Sequence, residues 1–589
     1  MKDKITSLVK SLINKLLSSL KRFPEAILLA ASVVCILIYV NHFGRDLTTE
    51  TSDMLRRTAM VLALGIPLSL CLKTMFERIP PLKGAVRAYF YAGAALGLLL
   101  YGVFLLQDFE MVSVTRYTAL SMAFYLAFAF IPYFYKKANY ELYVIKLFTD
   151  FFITFLYAAV LFLGLSAMLF TVDTLFSLEI SEKLYLDIWL IAAGVFAPAY
   201  FLADIPGHRE KLSPDGYPKV IKVLVLYIVM PLIIAYSTIL YVYFAKIILT
   251  RQWPDGMVSH LVLWYSMVGV FVLFLIYPLR KANGWSSTFT SYFPKFVIPL
   301  LVMMFVAMGI RIDAYGITEN RYFVIAAGLW VTGSMLYYAF SRKVRNIFLP
   351  VLLAVVAALS VTGPWSAYSV SMLSQNTRFE NLLQKNEMIE NGGIVRASEN
   401  LPDQDKREIS AIIRYFDRFH SLEDLRCLPE GFTTEEMEKL FGFEYTYDYR
   451  NINQRNYFHY RLPDNHALID IGDYDYFCDF SMSGRSDCSG TAGYLSVSYF
   501  AETGKLQIFD RGDEIYNADL VKIVSDIHKG LDNENPVSID QMTYTDRNEN
   551  LVVLYLFKQI NGWENALSGE TKIEITDFFL FIKPADRGE

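Results

Sequence analysis

The sequence predicts an α-helical polytopic membrane bundle of about 11 spans, followed by a soluble α+β domain. Hydrophobic residues make up 54% of the 589 residues and charged residues only 19%, a composition too apolar for a single soluble domain. Nearly all the long apolar runs lie within residues 24–370, whereas residues 371–589 have the composition of an ordinary soluble domain. The chain therefore divides into residues 1–23, 24–370 and 371–589.

Residues 1–23 predict a basic amphipathic helix. Apolar residues recur at helical spacing and lysines occupy the other side, the apolar set being Ile5, Leu8, Val9, Leu12, Ile13, Leu16, Leu17 and Leu20 and the lysines Lys4, Lys10, Lys15 and Lys21. The helix either lies in the headgroup layer of an anionic leaflet or packs on the ends of the spans. A cleaved signal peptide is disfavoured, because hydrophobic spans continue directly after this segment.

Eleven windows free of Asp, Glu, Lys and Arg predict the membrane spans. A span needs roughly 20 apolar residues, and flanking Lys and Arg extend the shorter windows by reaching outward. The windows are 26–44, 58–72, 88–106, 117–135, 151–172, 188–203, 223–245, 257–279, 296–310, 322–341 and 346–377. The window at 58–72 is interrupted by Pro67.

The distribution of positive charge predicts the orientation of these spans. Starting from the N-terminal stretch, every second connection carries 23 Lys and Arg in total, against 9 in the intervening connections. Positive charge is retained in the cytoplasm, so the N-terminus is expected to be cytoplasmic. Eleven crossings then place the C-terminal domain outside the cytoplasm, in a multi-pass protein of the cell (cytoplasmic) membrane. One crossing fewer would reverse the location of that domain.

Two groups of charged residues in the membrane half are candidate functional residues. Lys146 and Asp150 lie four apart on one helix face, either as an interfacial pair or as part of an ion or proton path. Asp46, Glu50 and Asp53 follow the first span, on the predicted outer side. Such carboxylates can act as a general base or bind a metal, although solvated carboxylates are the simpler interpretation.

The C-terminal domain is expected to begin with helices over residues 376–441. Strands are then predicted at 455–462, 467–481, 492–500, 505–510, 550–558 and 571–583, with a helix at 514–530. Cys478 and Cys488 bracket a Ser- and Gly-containing segment and either form a disulfide or remain two thiols. No zinc, Walker or dinucleotide-binding motif is found, so neither a metal nor a cofactor is predicted. The net charge of -5 argues against a nucleic-acid partner.

Three segments carry a resemblance to a known family. They are Tyr217-Pro218-Lys219, the run from Thr250 to Gly256, and the run from Gly363 to Ser371, read directly from the chain. In these segments the sequence resembles the bacterial membrane family called domain of unknown function 4153. The resemblance implies a polytopic bacterial membrane protein with a hydrophilic tail, and it implies no activity or site residues.

Three functions are compatible with the sequence. The favoured one is a cell-envelope protein whose extracytoplasmic domain binds a ligand or protein partner, because that domain carries no catalytic signature. A transporter or flippase is favoured by the number of spans and the prolines within them, but charge inside the spans is scarce. A membrane glycosyltransferase with a lipid-linked donor would use Asp46, Glu50 or Asp53. Enzymatic activity is therefore uncertain and is not the favoured interpretation.

Overall fold

The structure is a computed structural model of the full chain. It describes residues 2–44, 47–77, 84–134, 139–178, 180–207, 216–251, 257–390, 393–398, 401–445, 455–462, 471–483, 488–500, 504–531, 537–565 and 571–585. The chain forms two compact units. The first comprises Met1–Asp405 with Ile412–Glu444, and the second comprises Lys406–Ala411 with Tyr445–Glu589. The predicted membrane exit near residue 370 remains a prediction, because a division by contacts need not coincide with the membrane surface.

The first unit is a multi-pass helical bundle. Helix α1 (Lys2–Arg22) precedes ten helices that, within the described residues, are long and apolar enough to cross a membrane. They are α2 Pro24–Phe43, α3 Thr49–Phe76, α4 Gly84–Phe104, α5 Met111–Phe130, α6 Tyr140–Phe176, α7 Lys183–Ala203, α8 Lys219–Thr250, α9 Met257–Ile276, α10 Gly284–Tyr315 and α11 Glu319–Phe340. Pro67 lies inside α3 without ending it, so the window at 58–72 is part of one 28-residue helix.

Two spans contain wider helical turns next to a proline. Ala192–Phe196 in α7 and Leu224–Val229 in α8 are π-helical, and a proline, Pro198 or Pro231, stands two residues after the end of each. A proline removes a backbone N–H and crowds the preceding turn. The wider turns relieve this crowding while the helix continues.

The eleventh predicted window forms a shorter helix than expected. Helix α12 (Phe348–Ser360) has 13 residues, about 20 Å at 1.5 Å per residue. It ends because Gly363 has a φ of +79° and Pro364 follows, and neither continues a helix. Helix α13 (Ala367–Lys385) then starts with the Ser366 hydroxyl accepting a hydrogen bond from the Ser369 N–H.

Side-chain contacts identify the two ends of the bundle. At one end, Phe23 at the α1–α2 junction packs in a cluster with Leu70 of α3 and Phe128 of α5, and the start of α6 joins this cluster through Leu147. Near that end, Asn346 donates a hydrogen bond to Glu141 of α6, 2.6 Å. We call this the N-terminal end.

Helix α12 runs from the N-terminal end to the opposite end. Beyond it, the Val361 carbonyl accepts a hydrogen bond from Arg116 at the start of α5, 3.3 Å, and the Tyr368 hydroxyl donates to the Val112 carbonyl, 3.2 Å. The beginning of α5 is at the end opposite to Phe128. Helix α12 therefore crosses the bundle despite its length, and α13 begins at the opposite end.

The remainder of the first unit consists of short elements after α13. Strands β1 (Ile389–Glu390) and β2 (Gly393–Ile394) form a small antiparallel pair. Helix α14 (Asp403–Phe419), apart from its residues Lys406–Ala411, and the short α15 (Met437–Phe441) follow. Phe379 of α13 contacts Phe441 of α15 at a ring-centroid distance of 6.4 Å. The predicted helical region at 376–441 is thus confirmed as a mainly helical segment.

The second unit contains two antiparallel sheets and one helix. Strands β3 (Arg455–Arg461), β4 (Tyr476–Ser483), β9 (Thr543–Arg547), β10 (Leu551–Asn565) and β11 (Thr571–Pro584) form a sheet in the order β3-β10-β11-β4, with β9 also paired to β10. Strands β5 (Cys488–Ala492), β6 (Leu495–Phe500), β7 (Lys505–Asp510) and β8 (Asp513–Asp519) form the other in sequence order. Helix α16 (Leu520–Leu531) contributes Val524 to a shared core with Ile508, Tyr555 and Phe578.

Most predicted strands of the tail are present, but the predicted helix at 514–530 begins later. Residues Asp513–Asp519 form β8, which pairs with β7 around a turn at Arg511 and Gly512, both with positive φ. Tyr516 and Ala518 alternate with exposed neighbours in β8, the period of two that belongs to a strand. The helix therefore starts only at Leu520.

Candidate functional site

A buried carboxylate marks the start of helix α11. Glu319 is the first residue of this span and is 5% exposed. It follows a turn at Gly316, whose φ is +68°. A negative charge at a helix N-terminus is stabilised by the unpaired backbone N–H groups there. Burying the charge still requires hydrogen-bonding partners from elsewhere.

Helix α14 and the residue that follows it provide those partners. The Tyr415 hydroxyl donates to Glu319 Oε1 at 2.6 Å. His420 Nε2 lies 2.7 Å from the same oxygen and 2.9 Å from the Tyr415 hydroxyl. The His420 side chain is 4% exposed. Glu319 Oε1 accepts this hydrogen bond, so Nε2 is the donor, and Nδ1 is the ring nitrogen left for another contact.

The protonation state of Tyr415 follows from its surroundings. Burial, and then the negative charge of Glu319, raise the pKa of the Tyr415 phenol well above its usual value. The phenol therefore keeps its proton at physiological pH and acts as a donor. We refer to Glu319, Tyr415 and His420 as the outer triad.

Helix α13 fixes the turn from which Glu319 projects. Gln375 Nε2 donates to the carbonyls of Tyr315 and Ile317, at 3.1 and 2.9 Å, and the Ser374 hydroxyl accepts from the Ile317 N–H at 2.9 Å. The start of span α11 is thus held by α13 on one side and by Tyr415 and His420 on the other. A displacement of either would act on the first turn of the span.

A cavity of about 310 Å³ adjoins the outer triad. It is lined by Asp417, His420, Ser421, Leu422, Glu423, Pro429, Gly431 and Phe432. His420 therefore contacts Glu319 through one ring nitrogen and belongs to the cavity wall as well. Asp417 and Glu423 are exposed, whereas Phe432 is buried. The cavity combines hydrogen-bond acceptors with an apolar wall.

A second carboxylate–histidine pair lies between α2 and α7. His42 Nε2 is 2.6 Å from Asp187 Oδ2, and Asn41 donates to Asp187 Oδ1 at 2.9 Å. Two carboxylates around the N-terminal end instead form ion pairs, Lys15–Asp204 at 2.8 Å and Arg22–Glu77 at 2.9 Å. The two carboxylates that contact histidines thus lie near the starts of α7 and α11.

The predicted pair Lys146–Asp150 forms an ion pair of 3.1 Å within α6. Lys15 and Asp204 lie close enough to interact electrostatically with Asp150. The four charges therefore form one group near the N-terminal end. Whether the pair also serves transport stays a prediction.

The candidate catalytic carboxylates after the first span do not form a site within the part of the chain that the structure describes. Glu50 and Asp53 lie in the first turns of α3, with Glu50 exposed and Asp53 partly buried, and Asp46 lies outside the described residues. Within the described part of the chain, no group of three or more His, Cys, Asp or Glu residues is placed to hold a metal ion. Their catalytic role stays a prediction.

The predicted disulfide also stays a prediction. Cys478 lies in β4 and Cys488 begins β5, but the Cys488 side chain is outside the described residues. The Cys478 sulfur lies 3.8 Å from the position of a Cβ at Gly490. The two segments that carry the cysteines are therefore close together.

The outer triad was missed by the sequence analysis. Glu319 sits among polar residues before a span, and Tyr415 and His420 are about a hundred residues further on. The available signal was weak. It consisted of one of only seven histidines, placed immediately after an amphipathic helix.

A comparison with known protein families gives a match to the helical bundle. A profile of the family described as domain of unknown function (DUF4153) matches residues 26–389. The chain belongs to this family. The DUF4153 region contains Glu319 and the spans, whereas Tyr415 and His420 lie beyond it. It also contains all three segments on which the resemblance was based.

One relative is an uncharacterized protein of Pasteurella multocida (strain Pm70). It is 29% identical over 227 residues, which cover 38% of this chain and 38% of the relative. The chain thus matches well under half the length of that bacterial protein. No solved structure matches the chain.

Proposed function

We propose that this DUF4153 protein is a binding and sensing protein of the bacterial cell envelope. A small ligand occupies the cavity beside the outer triad, and its presence is transmitted through His420 and Glu319 to span α11. The observation that carries the proposal is the position of His420. One of its nitrogens contacts a buried carboxylate on a membrane helix, and the residue lines a cavity.

The chemistry of the cavity favours a cationic ligand. In the neutral imidazole with its proton on Nε2, Nδ1 of His420 is an acceptor, and Asp417 and Glu423 provide carboxylates. Leu422, Pro429 and Phe432 provide an apolar wall. A ligand with an ammonium group and a small apolar body satisfies both features. Such a ligand also fits a volume of about 310 Å³.

The orientation belongs to the same proposal. The positive-charge bias supports a cytoplasmic N-terminus, and crossing by α12 supports an extracytoplasmic location for the residues that follow it. The cavity would then open to the compartment outside the cytoplasm. A signal received there would reach the cytoplasmic side through α11, which ends near the N-terminal end.

Benzylammonium is a suitable probe, because it combines one ammonium group with one ring. We expect saturation-transfer NMR to detect binding at millimolar concentration to the full-length protein in nanodiscs. Bound probe should also change hydrogen exchange in the first turns of α11, residues 319–325. In Asp417→Asn/Glu423→Gln we expect binding to weaken by about tenfold, since each exposed charge–charge contact contributes up to about 1 kcal/mol.

The matched control is Glu435→Gln/Glu438→Gln, which removes two exposed charges from the same unit but not from the cavity wall. The control should bind as the unmodified protein does. Undetectable binding to the unmodified protein, or equal loss in both double variants, would overturn the ligand site. Binding without any change at residues 319–325 would overturn the relay.

A further inference from the structure

Helix α1 carries a surface that neither the family nor the proposed function assigns. One side of the helix is packed. Ser19 is buried, Leu16 joins the cluster at the α1–α2 junction, and Lys15 pairs with Asp204 of the loop after α7. Arg22 donates hydrogen bonds to Glu77 and to the Ile205 carbonyl. These contacts fix the rotation of α1 about its own axis.

The fixed rotation leaves an apolar stripe uncovered. Ile13, Leu17 and Leu20 are 50%, 49% and 47% exposed. Their spacing of four and three residues places them on one line along the helix. The stripe is immediately beside the packed side.

Two exposed lysines flank the stripe. Lys21 follows Leu17 by four residues and Lys10 precedes it by seven, so both lie on neighbouring positions of the helical wheel. Lys10 and Lys21 are exposed, whereas Lys15 and Arg22 are occupied by carboxylates. The free positive charge is thus found next to the apolar stripe and away from the packed side.

We infer that this face of α1 binds the anionic phospholipid headgroups of the leaflet at the N-terminal end. Ile13, Leu17 and Leu20 enter the boundary between headgroups and acyl chains, and Lys10 and Lys21 contact phosphate groups above it. Helix α1 continues at Phe23 into span α2, which starts at Pro24, so it necessarily lies at the membrane surface. Charge complementarity selects anionic lipid, since the negative surface potential of an anionic leaflet attracts lysines near it.

The binding face has a consequence for the bundle. Helix α1 is tied by its two ion pairs to the ends of α3 and α7. Lipid bound to its other face would hold these ends at the level of the headgroups. The inference is independent of the cavity, because it concerns the opposite end of the bundle.

Photo-crosslinking of the full-length protein tests the inference. Leu17 is replaced by p-benzoylphenylalanine, and the protein is placed in vesicles of equimolar phosphatidylglycerol and phosphatidylcholine. We expect lipid adducts in which phosphatidylglycerol is enriched about threefold, within the range allowed by two lysines. The variant Lys10→Gln/Lys21→Gln should return the adducts to an equal ratio.

The matched control places the same photoreactive residue at Ser18, which is exposed on the polar side of the helix. It should give few lipid adducts. Adducts of position 17 with protein instead of lipid would show that the stripe is covered by the bundle and would overturn the inference. Lipid adducts with no preference for phosphatidylglycerol would overturn the selection of anionic lipid.

Discussion

Asp405 lies in the first turn of α14 with its side chain 6% exposed. Lys385 donates to both of its oxygens, at 3.1 and 2.9 Å, and Asn386 donates at 2.9 Å. Burial alone would raise the pKa of this carboxyl, but the hydrogen bonds from Lys385 and Asn386 outweigh burial and lower it. The ionised form is therefore favoured in the folded protein.

The lowered pKa of Asp405 makes the stability of the folded protein depend on pH. The unfolded pKa of an aspartate is about 3.9, and the folded pKa of Asp405 is lower. Ionised Asp405 thus stabilises the fold above pH 4, and this stabilisation disappears as the pH falls through the folded pKa. We expect Asp405→Asn to destabilise by about 1.5–3 kcal/mol at pH 6, seen as a lower midpoint of thermal unfolding.

The control for this substitution is Asp403→Asn, which changes an exposed carboxylate in the same turn and should have a smaller effect. At a pH below the folded pKa, the midpoints of Asp405→Asn and the unmodified protein should converge. A difference that is the same at both pH values would contradict the role assigned to the ionised carboxylate.

For single residues, the sequence predicts contacts between residues close in the chain better than contacts between residues far apart in the chain. Lys146 and Asp150 are four residues apart, and helical geometry alone brings them to 3.1 Å. Glu319 and His420 meet only because α13 and α14 fold back over the end of the bundle. No periodic pattern in the sequence indicates a contact between residues so far apart in the chain. The outer triad was therefore not predictable from a single sequence.

Helix α12 shows how packing supports an element shorter than the membrane is thick. Ala354 and Ala357 face Ala123 of α5, and all three are buried. Small side chains let two helices approach closely, which is a main source of attraction between spans. The sequence predicted the crossing from composition but not the end of the helix, because residues 361–377 carry no charge to mark it.

A substitution that separates the two helices should therefore destabilise the bundle. We expect Ala357→Leu to cost about 1–3 kcal/mol through overpacking, measured as a lower thermal midpoint in detergent. Val355→Leu enlarges an adjacent side chain that is 47% exposed and should leave the midpoint unchanged. Equal midpoints for the two variants would contradict close packing of α12 on α5.

For the whole molecule, the proposed location of the cavity depends on the number of crossings. Charge bias and apolar windows sufficed to predict the bundle and its approximate span count, since both arise from the cost of placing charge in lipid. Helix α12 has only 13 residues. We infer that it completes the last crossing from the contacts made at its two ends. In the proposed topology, an odd number of crossings separates the outer triad and its cavity from the lysine-rich N-terminus.

A reporter fused after Glu589 of the full chain tests this separation most directly. Alkaline phosphatase is active only outside the cytoplasm, whereas green fluorescent protein exported in the unfolded state fluoresces only inside. With an odd number of crossings, we expect an active phosphatase fusion and a dark fluorescent fusion. A bright fluorescent fusion with an inactive phosphatase would contradict an odd number.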